Sequence, residues 1–219
     1  MRVYHFVPSQ YALSDIALRR MKIARFGDLN DPFELFAANV GGRKQLRKTL
    51  QCWKRALNDT KGLLCFSKNW ENPVLWSHYA AKHYGFCLGF DLNDDLAEEV
   101  KYSLKRIRFN FNGEPTAAHV DEERALNLLL TKSQDWSYED EVRVFVDLNK
   151  HSVEGASYFY EFSRDLTLRE VILGPLCEIP IKNIRILIDT SYDSVDVIKA
   201  RLAFKWFKIV PNKKFKRRA

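Results

Sequence analysis

The chain has 219 residues, a formal net charge of +7 at pH 7, and 46% hydrophobic and 13% aromatic residues. These values predict a globular protein with an extensive core and exclude a disordered or low-complexity chain. No apolar stretch is long enough for a membrane helix and no secretory leader is recognisable, so we expect a cytoplasmic protein that does not contact a membrane.

Apolar periodicity and turn residues define the elements along the chain. Strands are predicted at residues 3–7, 21–25, 62–67, 86–90, 100–108, 142–146, 158–162, 170–173, 195–200 and 205–210. Helices are predicted at residues 9–20, 43–57, 73–85, 121–131 and 181–188. The elements do not alternate regularly, and no linker divides them. The pattern therefore indicates one α+β domain with a mixed sheet at residues 1–212.

A basic C-terminal tail at residues 213–219 follows this domain. It carries Lys213, Lys214, Lys216, Arg217 and Arg218. Without these five residues, 30 Lys and Arg face 28 Asp and Glu, so the body of the chain is nearly balanced. The tail either attracts polyanions without sequence preference or is a frayed, solvated terminus.

The four cysteines have no metal-binding spacing. Cys52, Cys65, Cys87 and Cys177 form no Cys-x-x-Cys pair, and we interpret them as reduced core thiols. His78 and His83 are too poorly spaced on a helix to share a metal, so no metal site is expected. Glycine-rich nucleotide loops, a Gly-x-Ser-x-Gly elbow and a His-Glu-x-x-His motif are also missing.

A histidine and a polar loop lie near the start of the chain. His5 stands between Tyr4 and Phe6 in an apolar strand. It is either a structural core residue or a neutral imidazole that binds a ligand in a cleft. Residues 30–34, with sequence Asn-Asp-Pro-Phe-Glu, favour an Asx-turn. That loop either caps a short helix or borders a ligand pocket with Phe33 packed inward.

The helix that begins at Pro73 carries three consecutive polar side chains. Ser77, His78 and Tyr79 point in three directions, which is unusual for a helix buried on several sides. The helix also has a broad apolar stripe that includes Leu75, Trp76 and Tyr79, and most such stripes belong to the core. The aromatic ring of Tyr79 could instead stack on a planar heterocycle.

Two carboxylates stand at the start of an apolar run. If Glu139, Glu141 and Arg143 belong to one strand, they point to the same face, opposite Val142 and Val144. Such a row is either a solvated strand face with a salt bridge or a place for chemistry.

Several motifs in register resemble one bacterial protein family. They are Tyr4–Phe6, Leu29–Glu34, Cys65–Ser67, Leu75–Ala80, His83–Asp91 and Trp136–Arg143. In this order they are similar to DUF2971, a family of unknown function, over residues 3–210. Val142 occupies a position where that family usually has Trp or another bulky residue.

A second resemblance connects the chain to the ADP-ribosyltransferases and to DNA-modifying transferases of bacterial toxin–antitoxin pairs. It implies a split β-sheet flanked by helices, with NAD as substrate and a His-Tyr-Glu triad. His5 would bind the nicotinamide ribose and Tyr79 would stack on the nicotinamide. Glu141 would bind the ribose 2′-hydroxyl and stabilise the cationic transition state, and Glu139 would orient or activate the acceptor.

The same resemblance adds Tyr4, Ser67 and His78 to the expected NAD-binding residues. It implies transfer of ADP-ribose to a nucleic acid or protein acceptor, or NAD hydrolysis, in a toxin or phage-defence setting. The alternative is a non-catalytic module that binds a nucleotide, a nucleic acid or a protein. If Glu139 and Glu141 are consumed in ion pairs with Arg143 or other basic groups at the surface, the enzyme hypothesis fails and the binding module remains. No oligomeric state is predicted.

Overall fold

The computed structural model describes residues 1–33, 37–108 and 121–215. Within these ranges the strands are β1 (Arg2–Val7), β2 (Arg20–Lys22), β3 (Lys61–Ser67), β4 (Phe86–Leu92), β5 (Glu98–Glu99), β6 (Lys101–Ser103), β7 (Thr131–Ser133), β8 (Glu141–Asp147), β9 (Ser152–Glu154), β10 (Ser157–Glu161), β11 (Leu166–Leu173), β12 (Asp196–Leu202) and β13 (Ile209–Pro211). The α-helices are α1 (Ser9–Leu18), α2 (Lys44–Thr60), α3 (Pro73–Tyr79), α4 (Glu122–Leu129) and α5 (Ile181–Ser191).

An eight-stranded sheet in the order β13-β12-β11-β4-β1-β3-β8-β5 forms the centre of the molecule. Its pairs are antiparallel except β11 with β12, so the sheet is mixed. β4 lies in the middle, and its residues Phe86–Phe90 are all buried, as expected for a strand covered on both faces. The predicted α+β single domain with a mixed sheet flanked by helices is confirmed.

Helices cover both faces of this sheet. On one face, Ala12 and Ile16 of α1 and Ile184 and Ile188 of α5 belong to the largest apolar cluster. On the other face, α3 buries Leu75 and Trp76 in a second cluster. α2 and α4 meet in a third cluster through Leu46, Leu50 and Leu128. In the described ranges, none of the helices has both the length and the apolar character to span a bilayer.

All five predicted helix ends differ from the observed ends, by two to six residues. α1 ends at Leu18 rather than residue 20, since Arg19 is left-handed at φ 52° and the chain enters β2. α3 ends at Tyr79, well before the predicted Gly85. α2 runs three residues beyond the predicted Leu57, to Thr60.

Two predicted strands of the sheet also need correction. Residues 100–108 do not extend the central sheet; only Lys101–Ser103 is a strand, and it pairs with β7 in a separate two-stranded sheet. Residues 205–210 are mostly a hairpin loop, since only Ile209–Pro211 is paired. Outside these strands, neither segment has a ladder partner among the described residues, and Ile107 makes only an isolated bridge to Ala38.

The cysteine prediction is partly wrong. Cys87 and Cys177 are buried and Cys65 is half-buried, but Cys52 is exposed on α2. The basic tail begins with a short 3-10 turn at Lys213–Phe215, and the Arg185 guanidinium donates to the Phe215 carbonyl. The remaining tail residues, 216–219, lie outside the described residues.

One buried acid on α1 gives the folded state a pH dependence. Asp15 is 6% exposed, and burial raises its pKa to about 7 although Arg20 opposes this shift. Because the folded pKa exceeds the unfolded one, ionisation of Asp15 destabilises the fold increasingly from about pH 4 to about pH 7.

We therefore expect Asp15→Asn to stabilise the protein by about 2 kcal/mol at pH 8, with little effect at pH 4. Urea titrations at both pH values measure this difference. Asp193→Asn, at an exposed position, is the control and should change neither value. An equal gain for Asp15→Asn at both pH values would contradict the assignment.

Candidate functional site

The central sheet opens between β1 and β3. β1 pairs with β4 from Arg2 to Val7, but it pairs with β3 only at Tyr4 and Ser67. One side-chain bond crosses the opening, where His5 Nδ1 lies 3.0 Å from the Cys65 carbonyl oxygen. The two strands thus diverge from a single point and leave space between them.

A cavity of about 680 Å³ occupies this opening. Its volume is within the range of small-molecule sites. All the predicted site residues line it: Tyr4, His5, Ser67, His78, Tyr79, Glu139 and Glu141. The structure therefore brings together side chains from β1, β3, α3 and the segment that leads into β8. Their roles remain predictions.

His5 is a neutral hydrogen-bonding group in the cavity wall. Burial lowers its pKa, which keeps the imidazole uncharged. Since the Cys65 carbonyl can only accept, Nδ1 carries the proton and donates to it. Nε2 is then an acceptor, and it has no partner among the described residues. An imidazole in this state can accept a hydrogen bond from a ligand hydroxyl.

Glu141 is held by a guanidinium inside the protein. Arg143 Nε lies 2.8 Å from its Oε1, and Arg143 Nη2 lies 3.0 Å from its Oε2. Arg143 is only 1% exposed, and its Nη1 donates to the Leu129 carbonyl at 2.6 Å. Burial opposes ionisation, but Arg143 and Lys132 outweigh it and lower the pKa of Glu141. This carboxylate is a fixed anion.

Glu139 has a different environment. The hydroxyl of Tyr79 donates to its Oε1 and itself accepts from Asn30 Nδ2 at 2.7 Å. Burial raises the pKa of Glu139, against the opposing effect of Lys132. Burial and the nearby Glu139 carboxylate also raise the pKa of Tyr79, so the phenol stays protonated. Neighbouring carboxylates with pKa values shifted in opposite directions are typical of acid–base sites.

Lys132 joins the two carboxylates into one network. Its Nζ lies 2.5 Å from Glu139 Oε2 and 3.3 Å from Glu141 Oε2. Lys132, Glu139, Glu141 and Arg143 are all buried, with two positive and two negative charges. Burial of a charge is tolerable only when partners compensate it, and here they do so within the set.

The predicted strand row of Glu139, Glu141 and Arg143 is wrong in one respect. Glu139 lies in a 3-10 turn at Gln134–Glu139, and Asp140 is left-handed at φ 44° before β8 begins at Glu141. The turn, rather than strand alternation, brings Glu139 beside Glu141. Both carboxylates are in ion pairs, but these pairs are buried at the cavity wall and not on the outer surface.

The three other predicted residues at the cavity are Tyr4, Ser67 and His78. Burial and the Glu170 carboxylate raise the pKa of Tyr4 to about 12, so its phenol is a neutral group. Ser67 lines the cavity, but its hydroxyl donates to the Asn69 carbonyl at 3.0 Å. His78 is exposed at the rim, where its Nδ1 lies 3.2 Å from the Tyr138 hydroxyl.

The loop after β2 borders the cavity through Leu29 and Asn30. Asp31 is buried and accepts from the Phe33 amide at 2.8 Å, which confirms the Asx-turn. The inward packing considered for Phe33 is wrong, since its ring is 52% exposed beneath the Arg106 guanidinium. Glu34 lies outside the described residues.

A left-handed turn ends α3 directly after Tyr79 and Ala80. Ala81, Lys82 and His83 have φ values of 46°, 55° and 73°. Left-handed residues other than glycine cost roughly 1–2 kcal/mol each. The turn is secured by backbone bonds, including His83 N–H to the Trp76 carbonyl at 3.1 Å. α3 thus stops where its last aromatic ring faces the cavity.

Sequence reasoning missed Lys132 as a site residue. It follows the apolar run Leu128–Leu130 and precedes a turn, so it resembles any surface lysine in the sequence. The sequence indicates Asn30 only as a turn former or as part of a pocket border. Its bond to Tyr79 joins residues 49 positions apart, which no local pattern shows.

Comparison with known proteins supports one of the two resemblances. The family model described as "Protein of unknown function (DUF2971)" matches residues 75–144. This match confirms the DUF2971 resemblance there, over a segment that includes Tyr79, Lys132, Glu139, Glu141 and Arg143. No curated protein and no solved structure matches the chain. The resemblance to ADP-ribosyltransferases remains a prediction.

The charge network allows a stability test. Lys132→Met leaves two buried carboxylates with one cation, and we expect a loss of about 3 kcal/mol at pH 8. The loss should shrink at pH 5, because protonation of Glu139 then relieves the repulsion. Guanidinium titrations of the single variant and of Lys132→Met/Glu139→Gln measure this, and the double variant should regain at least ~1 kcal/mol.

The control for this test is Lys68→Met. Lys68 pairs with Glu99 at 2.7 Å on a more exposed part of the sheet, so its loss should cost less than about 1 kcal/mol. A loss for Lys132→Met that is equal at the two pH values would show that the carboxylates are not charged neighbours.

Proposed function

We propose that this chain, whose residues 75–144 match DUF2971, binds NAD in the cavity and transfers ADP-ribose to a macromolecule or to water. The observation that carries the proposal is the convergence of His5, Tyr79, Glu139 and Glu141 on one cavity where the sheet opens. His5, Tyr79 and Glu141 lie far apart in the chain, and the resemblance to ADP-ribosyltransferases assigns these three residues and Glu139 to one site.

The reaction breaks the bond between C1′ of the nicotinamide ribose and the ring nitrogen of nicotinamide. The bonding electron pair leaves with nicotinamide, which becomes neutral, and positive charge develops on the ribose. A fixed anion beside the ribose stabilises this charge more than the ground state. Glu141, whose pKa is lowered, is the residue suited to this role.

The second carboxylate serves the acceptor. An acceptor hydroxyl or water attacks C1′ as nicotinamide departs, and it must lose a proton. Glu139 has a raised pKa, which matches a general base better than an always-ionised carboxylate. The product is the ADP-ribosylated acceptor or free ADP-ribose, together with nicotinamide and a proton.

The neutral groups of the cavity suit the rest of the nicotinamide riboside. His5 Nε2 can accept from a ribose hydroxyl. The ring of Tyr79 is held at its hydroxyl by Asn30 and Glu139, so its orientation is fixed before a ligand arrives. A preoriented aromatic face can stack on nicotinamide with little loss of entropy.

One specific observation favours a second candidate, a non-catalytic nucleotide-binding module. Both oxygens of Glu141 are engaged by Arg143, and Lys132 approaches one of them. Two cations next to the anion weaken its field at the ribose. In this second candidate the same cavity holds a nucleotide, and the carboxylates only maintain the wall.

NAD binding and turnover distinguish the two candidates. We expect calorimetric titration with NAD to show binding, and chromatography to show release of nicotinamide. Glu141→Gln, compared under conditions where circular dichroism shows it folded, should lower the release rate by roughly 10²–10³-fold, as expected for a lost electrostatic contact in the transition state. Tyr79→Ala should weaken NAD binding more than Tyr79→Phe, which keeps the ring.

Glu123→Gln on the exposed face of α4 is the matched control and should release nicotinamide at the wild-type rate. Undiminished turnover in Glu141→Gln would remove the assigned mechanism. NAD binding without nicotinamide release would establish the binding module instead. The absence of NAD binding in the wild type would overturn the proposal as a whole.

A further inference from the structure

The loop between β12 and β13 exposes an aromatic cluster to solvent. Phe204, Trp206 and Phe207 are 90%, 75% and 99% exposed, and Leu202 at the end of β12 is also exposed. Large apolar side chains grouped in this way mark interaction sites rather than ordinary surface. We call Phe204, Trp206 and Phe207 the aromatic tip.

The segment of the chain that carries the aromatic tip is strongly basic. Residues 197–219 contain nine of the 35 Lys and Arg and none of the 28 Asp and Glu. The other residues, 1–196, therefore hold 26 basic and 28 acidic side chains, so the whole positive excess belongs to this segment. Lys205 lies inside the tip and has no ion pair with any described residue. Such a segment attracts polyanions.

The tip also forms a groove. A cavity of about 360 Å³ lies between the loop and Pro73 at the start of α3, and the three aromatic residues line it. The loop is anchored beside α3, because Lys208 Nζ lies 2.8 Å from Glu71 Oε2 and the Ile209 amide donates to the Glu71 carbonyl. The aromatic rings thus stand on a supported hairpin rather than on a loose end.

We propose that the aromatic tip binds single-stranded nucleic acid. Unpaired bases would stack on Trp206, on Phe207 and on the face of Phe204 that Arg201 leaves open, and the phosphates would contact Lys205 and Lys214. Base–aromatic stacking contributes about 1–3 kcal/mol per base and tolerates any sequence. The proposal does not depend on NAD chemistry in the other cavity.

The order of residues in the loop favours a nucleic acid over an anionic membrane. Lys205 separates Phe204 from Trp206, so a cation lies at the level of the rings. In single-strand binding, bases and phosphates alternate along one chain, and alternating rings and cations match them. At an anionic membrane the Lys205 ammonium would stay in the headgroup layer while the rings enter below it, which does not use the alternation.

The test is fluorescence anisotropy of a labelled 20-nucleotide oligothymidylate with the full chain at 150 mM salt. Phe204→Ala/Trp206→Ala/Phe207→Ala should bind at least tenfold more weakly than the wild type. Lys205→Gln/Lys214→Gln should reduce the slope of log affinity against log salt by about 1.4, if both lysines contact phosphate. Trp206→Phe should reduce the quenching of intrinsic fluorescence that the oligonucleotide causes.

The matched control is Tyr11→Ala/Leu18→Ala/Ile186→Ala, which removes three exposed apolar side chains from α1 and α5. It should bind like the wild type. Deletion of residues 213–219 should weaken binding but leave the effect of the aromatic substitutions intact. The proposal is overturned if the tip triple variant binds normally, or if the wild type sediments with phosphatidylserine vesicles but does not bind the oligonucleotide.

Discussion

The buried network of Glu139, Lys132, Glu141 and Arg143 is the interaction on which the candidate site depends. Each charge would be costly alone, and together they neutralise one another within the protein. The network connects β7, the turn before β8 and β8 itself, and through Tyr79 it reaches α3. One set of contacts therefore fixes both the shape of the cavity wall and the protonation of its acids.

The same network affects how well the site suits each of the two candidate functions. A catalytic carboxylate must present negative charge to the ribose, and Arg143 competes for that charge. Yet the guanidinium also fixes the carboxylate in one orientation, which lowers the cost of reorganisation during reaction. The opposite pKa shifts of Glu139 and Glu141 would suit separate roles in the proposed transfer reaction, although structural ion-pair networks also shift pKa values.

The sequence predicted the parts of the fold that depend on local apolar patterns. β3 and β4 are continuous apolar runs, and the predicted start of α3 at Pro73 is correct, where the Asn72 side chain accepts from the Val74 amide. It failed where the backbone leaves regular conformation, as at Asp140 and after Tyr79. The members of the site were recognised through motif resemblance, whereas their contacts are long-range.

Lys132 illustrates why the sequence could not predict the other contacts of the site. Its role comes from a bond network across separate elements, and the sequence around it has no special periodicity. At the aromatic tip, the local sequence pattern was misleading rather than uninformative. Residues 205–210 have a strand-like composition, but aromatic side chains in an unpaired loop face water instead of a core.

The corner after α3 is built almost without side chains. A Cβ at Gly174 would collide with the His83 and Gly85 carbonyl oxygens, and one at Gly85 would collide with the Val7 carbonyl oxygen. Main chain thus rests directly on main chain where the helix that carries Tyr79 ends. Substitution of the residues that face the cavity can therefore alter which molecule it admits while this backbone frame stays unchanged.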